Sequence, residues 1–169
     1  MLPYKGKLKV LGKYPFSFDY TEVDGLDNLL FPQGAIARSQ NLWAKEIGAD
    51  AVFYSVNGSS AGILAAVLAT VKQDEEIIVG RDAHVSALNA LYLSGATPRY
   101  VEYSCIFGER LAPLDEKDVL EAIRKYPKAK AVLLNYINYH GICIKAQRIV
   151  EAAHELGMTV IFDAAHGAH

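Results

Sequence analysis

The sequence has 169 residues, 51% of them hydrophobic, with 17 basic against 19 acidic side chains and a formal net charge of −2. That is a globular composition, and it excludes a disordered charged tail. The balanced charge leaves no basic stripe, so no nucleic-acid partner is expected.

The longest nearly pure apolar run, residues 61–71, is too short for a bilayer, which needs about 20 apolar residues. No membrane partner is expected, and the first residues lack the apolar core of a secretory signal. Cys105 and Cys143 are too far apart for a CxxC motif and too few for a disulfide framework. They read as reduced cysteines of a cytoplasmic protein.

Residues 1–34 are weakly periodic, with Gly6, Gly12, Gly25 and Gly34 among Pro3, Pro15 and Pro32. They read as an N-terminal arm. Residues 35–47 then fit a helix, with Ile36, Leu42, Trp43 and Ile47 near helical spacing and Gly48 as a stop. Residues 51–56 are apolar, aromatic and β-branched, which predicts a buried strand. Residues 57–62 form a turn into a helix reaching about Lys72. Strands follow at 76–79, 98–101, 131–134 and 159–162, and helices at 85–94, 115–125 and 145–156. Asp115 and Asp118 stand at capping-box positions. Strand and helix alternating with short connections predict an α/β fold, a mostly parallel sheet with helices on both faces. Ligands in such sheets bind beyond the carboxyl ends of the strands.

Three strand ends carry polar residues there. Gly58-Ser59-Ser60-Ala61-Gly62 opens a helix, where backbone N–H groups and two hydroxyls make an anion site. The alternative is a plain turn with a serine N-cap. The segment is neither a Walker A loop nor a GxGxxG fingerprint. In Asp82-Ala83-His84-Val85-Ser86, the His84 ring can lie flat against an aromatic ligand, or Asp82 or His84 can simply cap the next helix. Asp163 ends the last strand and projects a carboxylate into the crevice, or caps the following turn. His166 and His169 have a spacing open to a metal, but no second carboxylate or cysteine cluster accompanies them, so no metal is expected. Tyr136, Asn138, Tyr139 and His140 read as packing and turn residues. There is no GxSxG elbow of a serine hydrolase.

A phosphate cradle, a ring-stacking group and a buried carboxylate at three strand ends of one sheet suit a phosphorylated pyridine. A carboxylate that keeps the pyridine nitrogen protonated makes the ring the electron sink of pyridoxal phosphate chemistry.

On these residues the sequence resembles the large domain of fold-type I pyridoxal-phosphate enzymes, specifically the bacterial ornithine/lysine/arginine decarboxylase group. The stretches that carry the resemblance are Tyr20-Thr21-Glu22-Val23-Asp24-Gly25-Leu26-Asp27, residues 53–62, Arg81 to Ser86, Leu93 to Pro98 and Phe162 to His169. The resemblance implies that Ser59 and Ser60 hold the cofactor phosphate and that His84 stacks on the ring. It also implies that Asp163 pairs with the ring nitrogen and that Ala165 packs near the ring, with His166 on the substrate side. Val85 stands where the family has lysine, Ala164 where it has glutamate, and Asn138-Tyr139-His140-Gly141 departs from a common tyrosine pair.

In the family the Schiff-base lysine follows the Phe162–His169 stretch, and none of the eleven lysines here matches its context. The resemblance therefore implies a partial pyridoxal-phosphate-binding large domain over residues 35–169, without its C-terminal part or the small domain. It implies decarboxylation of a basic amino acid (ornithine, lysine or arginine) by a homo-oligomer, with the isolated chain inactive. The alternatives are an aminotransferase, another fold-type I enzyme, or a non-catalytic truncated or split-enzyme fragment. Two further expectations follow from the family's sheet: residues 51–56 lose their lateral neighbours, and the phosphate site is displaced from Asp163.

Overall fold

The structure is a computed structural model that describes Tyr20 and residues 23–101, 105–106, 110–111 and 114–167, with backbone alone at 105–106 and 110–111. The chain divides into two compact units, with the boundary after Tyr54.

In the first unit, α1 (Ala35–Ile47) matches the expected helix residue for residue and closes on Gly48. Its N-terminus is capped from a distance. Asp27 Oδ1 accepts the N–H groups of Gln33 (2.9 Å) and Asn28 (3.0 Å), while Oδ2 accepts those of Gly34 (3.0 Å) and Ile36 (2.7 Å). One carboxylate thus folds residues 27–36 around itself. It also satisfies amide donors at the helix start that have no intrahelical partner. These bonds, the one from Gln33 foremost, hold the Asp27 carboxyl down from 3.8 to about 2. Within the same unit the Ser39 and Tyr54 hydroxyls lie 2.7 Å apart.

In the second unit, the main sheet consists of β1 (Glu76–Val79), β2 (Thr97–Tyr100), β5 (Ala131–Asn135) and β6 (Thr159–Asp163). They are all parallel, in the order β2-β1-β5-β6. The helices are α2 (Gly58–Thr70), α3 (Val85–Ser94), α4 (Glu116–Lys125) and α5 (Gln147–Glu155). A two-residue hairpin, β3 (Cys105–Ile106) with β4 (Arg110–Leu111), stands outside the sheet and outside the expected pattern.

Each strand presents successive side chains to opposite faces. Ile78, Val132 and Leu134 pack with Val119 and Ile123 of α4 and with Ile149 and Ala153 of α5. Ile77, Val79, Leu133 and Ile161 pack with Ile63 and Val67 of α2 and with Ala87 and Leu91 of α3. Both faces are therefore covered, which is why β1 and β5 read as unbroken apolar runs. Pro98 is tolerated in β2, an outer strand of the sheet. There Arg99 Nε also donates to Glu76 Oε1 at 2.9 Å across the β1–β2 pair. The expected box closes α4, with Asp118 accepting the Asp115 N–H at 3.2 Å. Arg148 of α5 reaches Glu116 of α4 at 2.8 Å.

One expected element is corrected. Residues 51–56 form no strand, and Phe53 and Val56 are 85% and 81% exposed. The expected loss of lateral neighbours fits this stretch, which carries no ladder. Apolar β-branched composition disposes a segment to a strand, but only pairing makes one.

Two predictions follow from the packing and the cap. Ile78→Ala empties a site fully buried between the sheet and α4, and costs about 2–5 kcal/mol in denaturant unfolding. The Asp27 carboxyl is depressed in the folded state, so its contribution is present above the ordinary value of 3.8 and is lost as pH falls toward 2. The difference in melting temperature between the wild type and Asp27→Asn is therefore largest near neutrality and shrinks as acid titrates the group. A difference that stays constant down to pH 2 contradicts this account.

Candidate functional site at the carboxyl ends of β1, β5 and β6

Strands β1 and β5 pair in register (Val79 with Leu133), as do β5 and β6 (Asn135 with Asp163), so the three strands end side by side. The polar segments that follow them, and the first turn of α2, enclose a cavity of about 190 Å³. Its wall includes Ser59, Asp82, His84, Asn135, Asp163 and His166, together with Ile137, Tyr139 and Ala165. The volume is below the roughly 300–1,000 Å³ of pockets for drug-sized ligands, so it suits a small molecule or part of a larger one.

Ser59 reaches the cavity because Ile63 and Val67 seat α2 on the sheet face beside Ile161 of β6. The N-cap of α2 is Asn57, not a serine, and no side chain caps the helix. Its first residue, Gly58, has φ +71, a left-handed conformation that side chains other than glycine rarely adopt. Ser59 lies on the wall, whereas Ser60, one residue on, does not.

His84 is the N-cap of α3, and its Nδ1 accepts the Ser86 N–H at 3.1 Å and lies 2.9 Å from the Ser86 hydroxyl. An accepting Nδ1 leaves the proton of the neutral ring on Nε2. The capping reading and the ligand reading thus hold together, because the cap fixes a ring that also lines the cavity. The same is true of Asp163. Its Oδ1 accepts the Ala165 N–H at 3.0 Å, closing the turn after β6, while the residue stays on the cavity wall.

The phosphate-side and nitrogen-side candidates share this one cavity. That corrects the expectation that the Ser59 turn is displaced from Asp163: α2 packs directly on β6 without a further strand between them. His166 and Ala165 lie on the same wall. His169 falls outside the described residues. Among the described residues no three His, Cys, Asp or Glu side chains group as a metal site, and no helix is long and apolar enough to cross a membrane.

Asp82, Asn135 and Tyr139 join the site beyond the expected set. Asp82 is half-buried, its Oδ1 finds no hydrogen-bond partner among the described residues, and burial pushes its carboxyl up from the usual aspartate value. Asn135 Nδ2 donates to the Asp82 carbonyl at 2.6 Å. The signal for Asn135 was its place at the end of a parallel strand. Asn138 does shape a turn as expected, accepting the N–H groups of His140 and Ile142 at 3.0 Å each. Tyr136 packs edge-on against Phe162. Tyr139, by contrast, stands edge-to-face with His166 at 6.1 Å on the cavity wall.

Comparison with known proteins shows the family and the fold. Residues 7–169 match the family described as Orn/Lys/Arg decarboxylase, major domain. An arginine decarboxylase of Halalkalibacterium halodurans is 34% identical over 163 residues, which are 94% of this chain and 33% of that protein. The chain thus spans about a fifth to a third of the length of the curated relatives it matches. Among solved structures, the complex of SepCysS with the SepCysE N-terminal domain is similar with a TM-score of 0.72 and 17% identity, over 94% of this chain and 41% of that one. The pyridoxal-5′-phosphate-dependent protein YhfS of Escherichia coli is similar with a TM-score of 0.63 and 13% identity, over 86% of this chain and 37% of that one. At such identities the structures speak to the α/β fold, and the sequence match speaks to the family. The chain belongs to the Orn/Lys/Arg decarboxylase family, by its match to the major domain.

Proposed function

We propose that this chain is the cofactor-binding part of a pyridoxal-phosphate-dependent decarboxylase acting on a basic amino acid (ornithine, lysine or arginine). The observation that carries the reading is the single cavity walled by Ser59, His84 and Asp163. Family membership and the similar arginine decarboxylase support the reaction class. The similar fold of a pyridoxal-phosphate-dependent protein supports the cofactor class.

The donor set fits the cofactor. A helix start that no side chain caps, with Ser59 in its first turn, offers N–H groups and a hydroxyl to a phosphate, with Ser60 beside it. The His84 ring, pinned through Nδ1, offers its face to an aromatic ring. The Asp163 carboxylate keeps an oxygen beyond its turn bond for a protonated ring nitrogen. Ala165, small and on the same wall, leaves room for the ring, and His166, also on that wall, is the candidate for the substrate side. When bound, pyridoxal phosphate supplies an electron sink for loss of the substrate carboxylate. Residues 35–169 make up this part of the enzyme, which works as a homo-oligomer.

No lysine lines the cavity among the described residues. That favours a second reading for the isolated chain: it binds the cofactor and does not turn over.

Both readings have direct tests. Titrating pyridoxal 5′-phosphate into the chain induces saturable circular dichroism in the cofactor's absorption band. Asp163→Ala weakens this binding about 10- to 100-fold, the worth of a charge-assisted hydrogen bond. His84→Ala weakens it about 3- to 10-fold, the worth of one ring contact. Binding that never saturates removes the cofactor assignment. Assays for amine release from arginine, lysine and ornithine find no sustained turnover by the 169-residue chain. Turnover in material freed of host decarboxylase refutes the second reading.

A further inference from the structure

The turn that carries His84 is held from below by β5. Gly80 N–H donates to the Leu133 carbonyl at 3.0 Å, and Ala83 N–H closes the turn on the Gly80 carbonyl at 3.1 Å. Gly80 is buried, and a Cβ placed on it would stand 2.9 Å from Asp82 Oδ1. The missing side chain is what lets the Asp82 carboxyl fold under the turn. The Asp82 carbonyl, left facing β5, accepts Asn135 Nδ2 at 2.6 Å across 53 residues of sequence. On its other side Asn135 is the register partner of Asp163. One amide side chain therefore joins the β1 turn to the strand end that adjoins Asp163.

We propose that Asn135 is a positioning residue: by clamping the Asp82 carbonyl, it fixes the distance of the His84 ring from Asp163 across the cavity. The helix cap on His84 sets how the ring is turned relative to α3, but not where α3 begins relative to β5 and β6. The backbone bond from Gly80 ties the turn to β5 only at its start, four residues before His84. The Asn135 amide pins its far half. A small hydrogen-bonded tie at this point matters because a ring sandwiched between two groups tolerates little change in their separation.

The inference rests on the proposed cofactor only for its second readout. The first needs no ligand and uses Asn135→Asp, which keeps the shape and removes the donor, alongside Asn135→Ala. In both, hydrogen exchange at the Ser86 amide, which His84 Nδ1 accepts, speeds up about 3- to 10-fold, as for loss of one neutral hydrogen bond. The Val150 amide in α5, bonded to the Ala146 carbonyl at 2.9 Å, keeps its protection. Unchanged exchange at Ser86, or equal acceleration at Ser86 and Val150, overturns the clamp, the latter by exposing a general loosening of the fold.

The second readout is pyridoxal 5′-phosphate affinity in a double-mutant cycle. Asn135→Ala weakens binding about 3- to 10-fold when His84 is present. In a His84→Ala background the same change alters binding by no more than about twofold, because the group it positions is gone. Equal loss in both backgrounds overturns the proposal in favour of direct contact between Asn135 and the ligand. If the unsubstituted chain does not bind the cofactor at all, the functional reading fails, and exchange at Ser86 still decides the clamp.

Discussion

Strand β1 pairs with β2 on one side and with β5 on the other, and the direction of winding reverses between them. Everything at the site depends on that reversal. The chain leaves β1 through α3 to reach β2, then crosses back through α4 to β5. Adjacent connections that depart in opposite directions open a crevice above the strand ends, which is where parallel sheets bind ligands. The same reversal divides the core. One set of side chains packs under α2 and α3, the other under α4 and α5, with Ile77 and Ile78, neighbours in sequence, serving opposite faces. The crevice is thus a consequence of strand order, and the polar residues at its rim need only be at the right strand ends.

Those rim residues also carry the local folding of their own loops. His84 caps α3 and Asp163 closes the turn after β6, each by accepting an amide two residues on. In both places the side chain meets a backbone donor with one atom and presents the rest of itself to the cavity. This economy has a physical cause. A side chain aimed into a crevice from a loop has many rotamers, and ordering it on ligand binding costs about 0.5–1.5 kcal/mol. A cap bond imposes that order during folding, so binding does not have to. Asp27 does the same for the first unit, where one carboxylate with four amide donors sets the path of residues 27–36 into α1.

Sequence alone makes the sheet and its helices legible, because each is written in short-range terms. Unbroken apolar runs mark β1 and β5, and glycine stops close α1 and α3. Residues 51–56 mislead because their composition has strand propensity while pairing is a long-range matter. Of the site, Ser59, His84 and Asp163 are legible as strand-end residues with suitable chemistry, Ala165 and His166 enter through the family resemblance, and all five line one cavity. Asp82 was legible only as a helix cap, and Asn135 only by its place at a strand end, with nothing to name its partner. Their link spans 53 residues, and its acceptor is a backbone carbonyl, which has no sequence signature. Tyr139 reads as a turn residue because Asn138 makes the turn, and only the fold brings that turn against His166.

The charge pattern of the cavity bears on what it can hold. Two carboxylates, Asp82 and Asp163, and two imidazoles, His84 and His166, face a volume of about 190 Å³, with one open helix start beside them. A purely anionic ligand would meet the helix start favourably and the carboxylates unfavourably, and a purely cationic one the reverse. A ligand with an anionic end and a protonated nitrogen at the other satisfies both, if the two charges are separated as the α2 start is from Asp163. Asp82 sharpens the requirement, because its buried Oδ1 has no partner among the described residues and an unmet buried acceptor costs about 1–3 kcal/mol. Burial already shifts its carboxyl toward the protonated form, in which that proton can itself be donated.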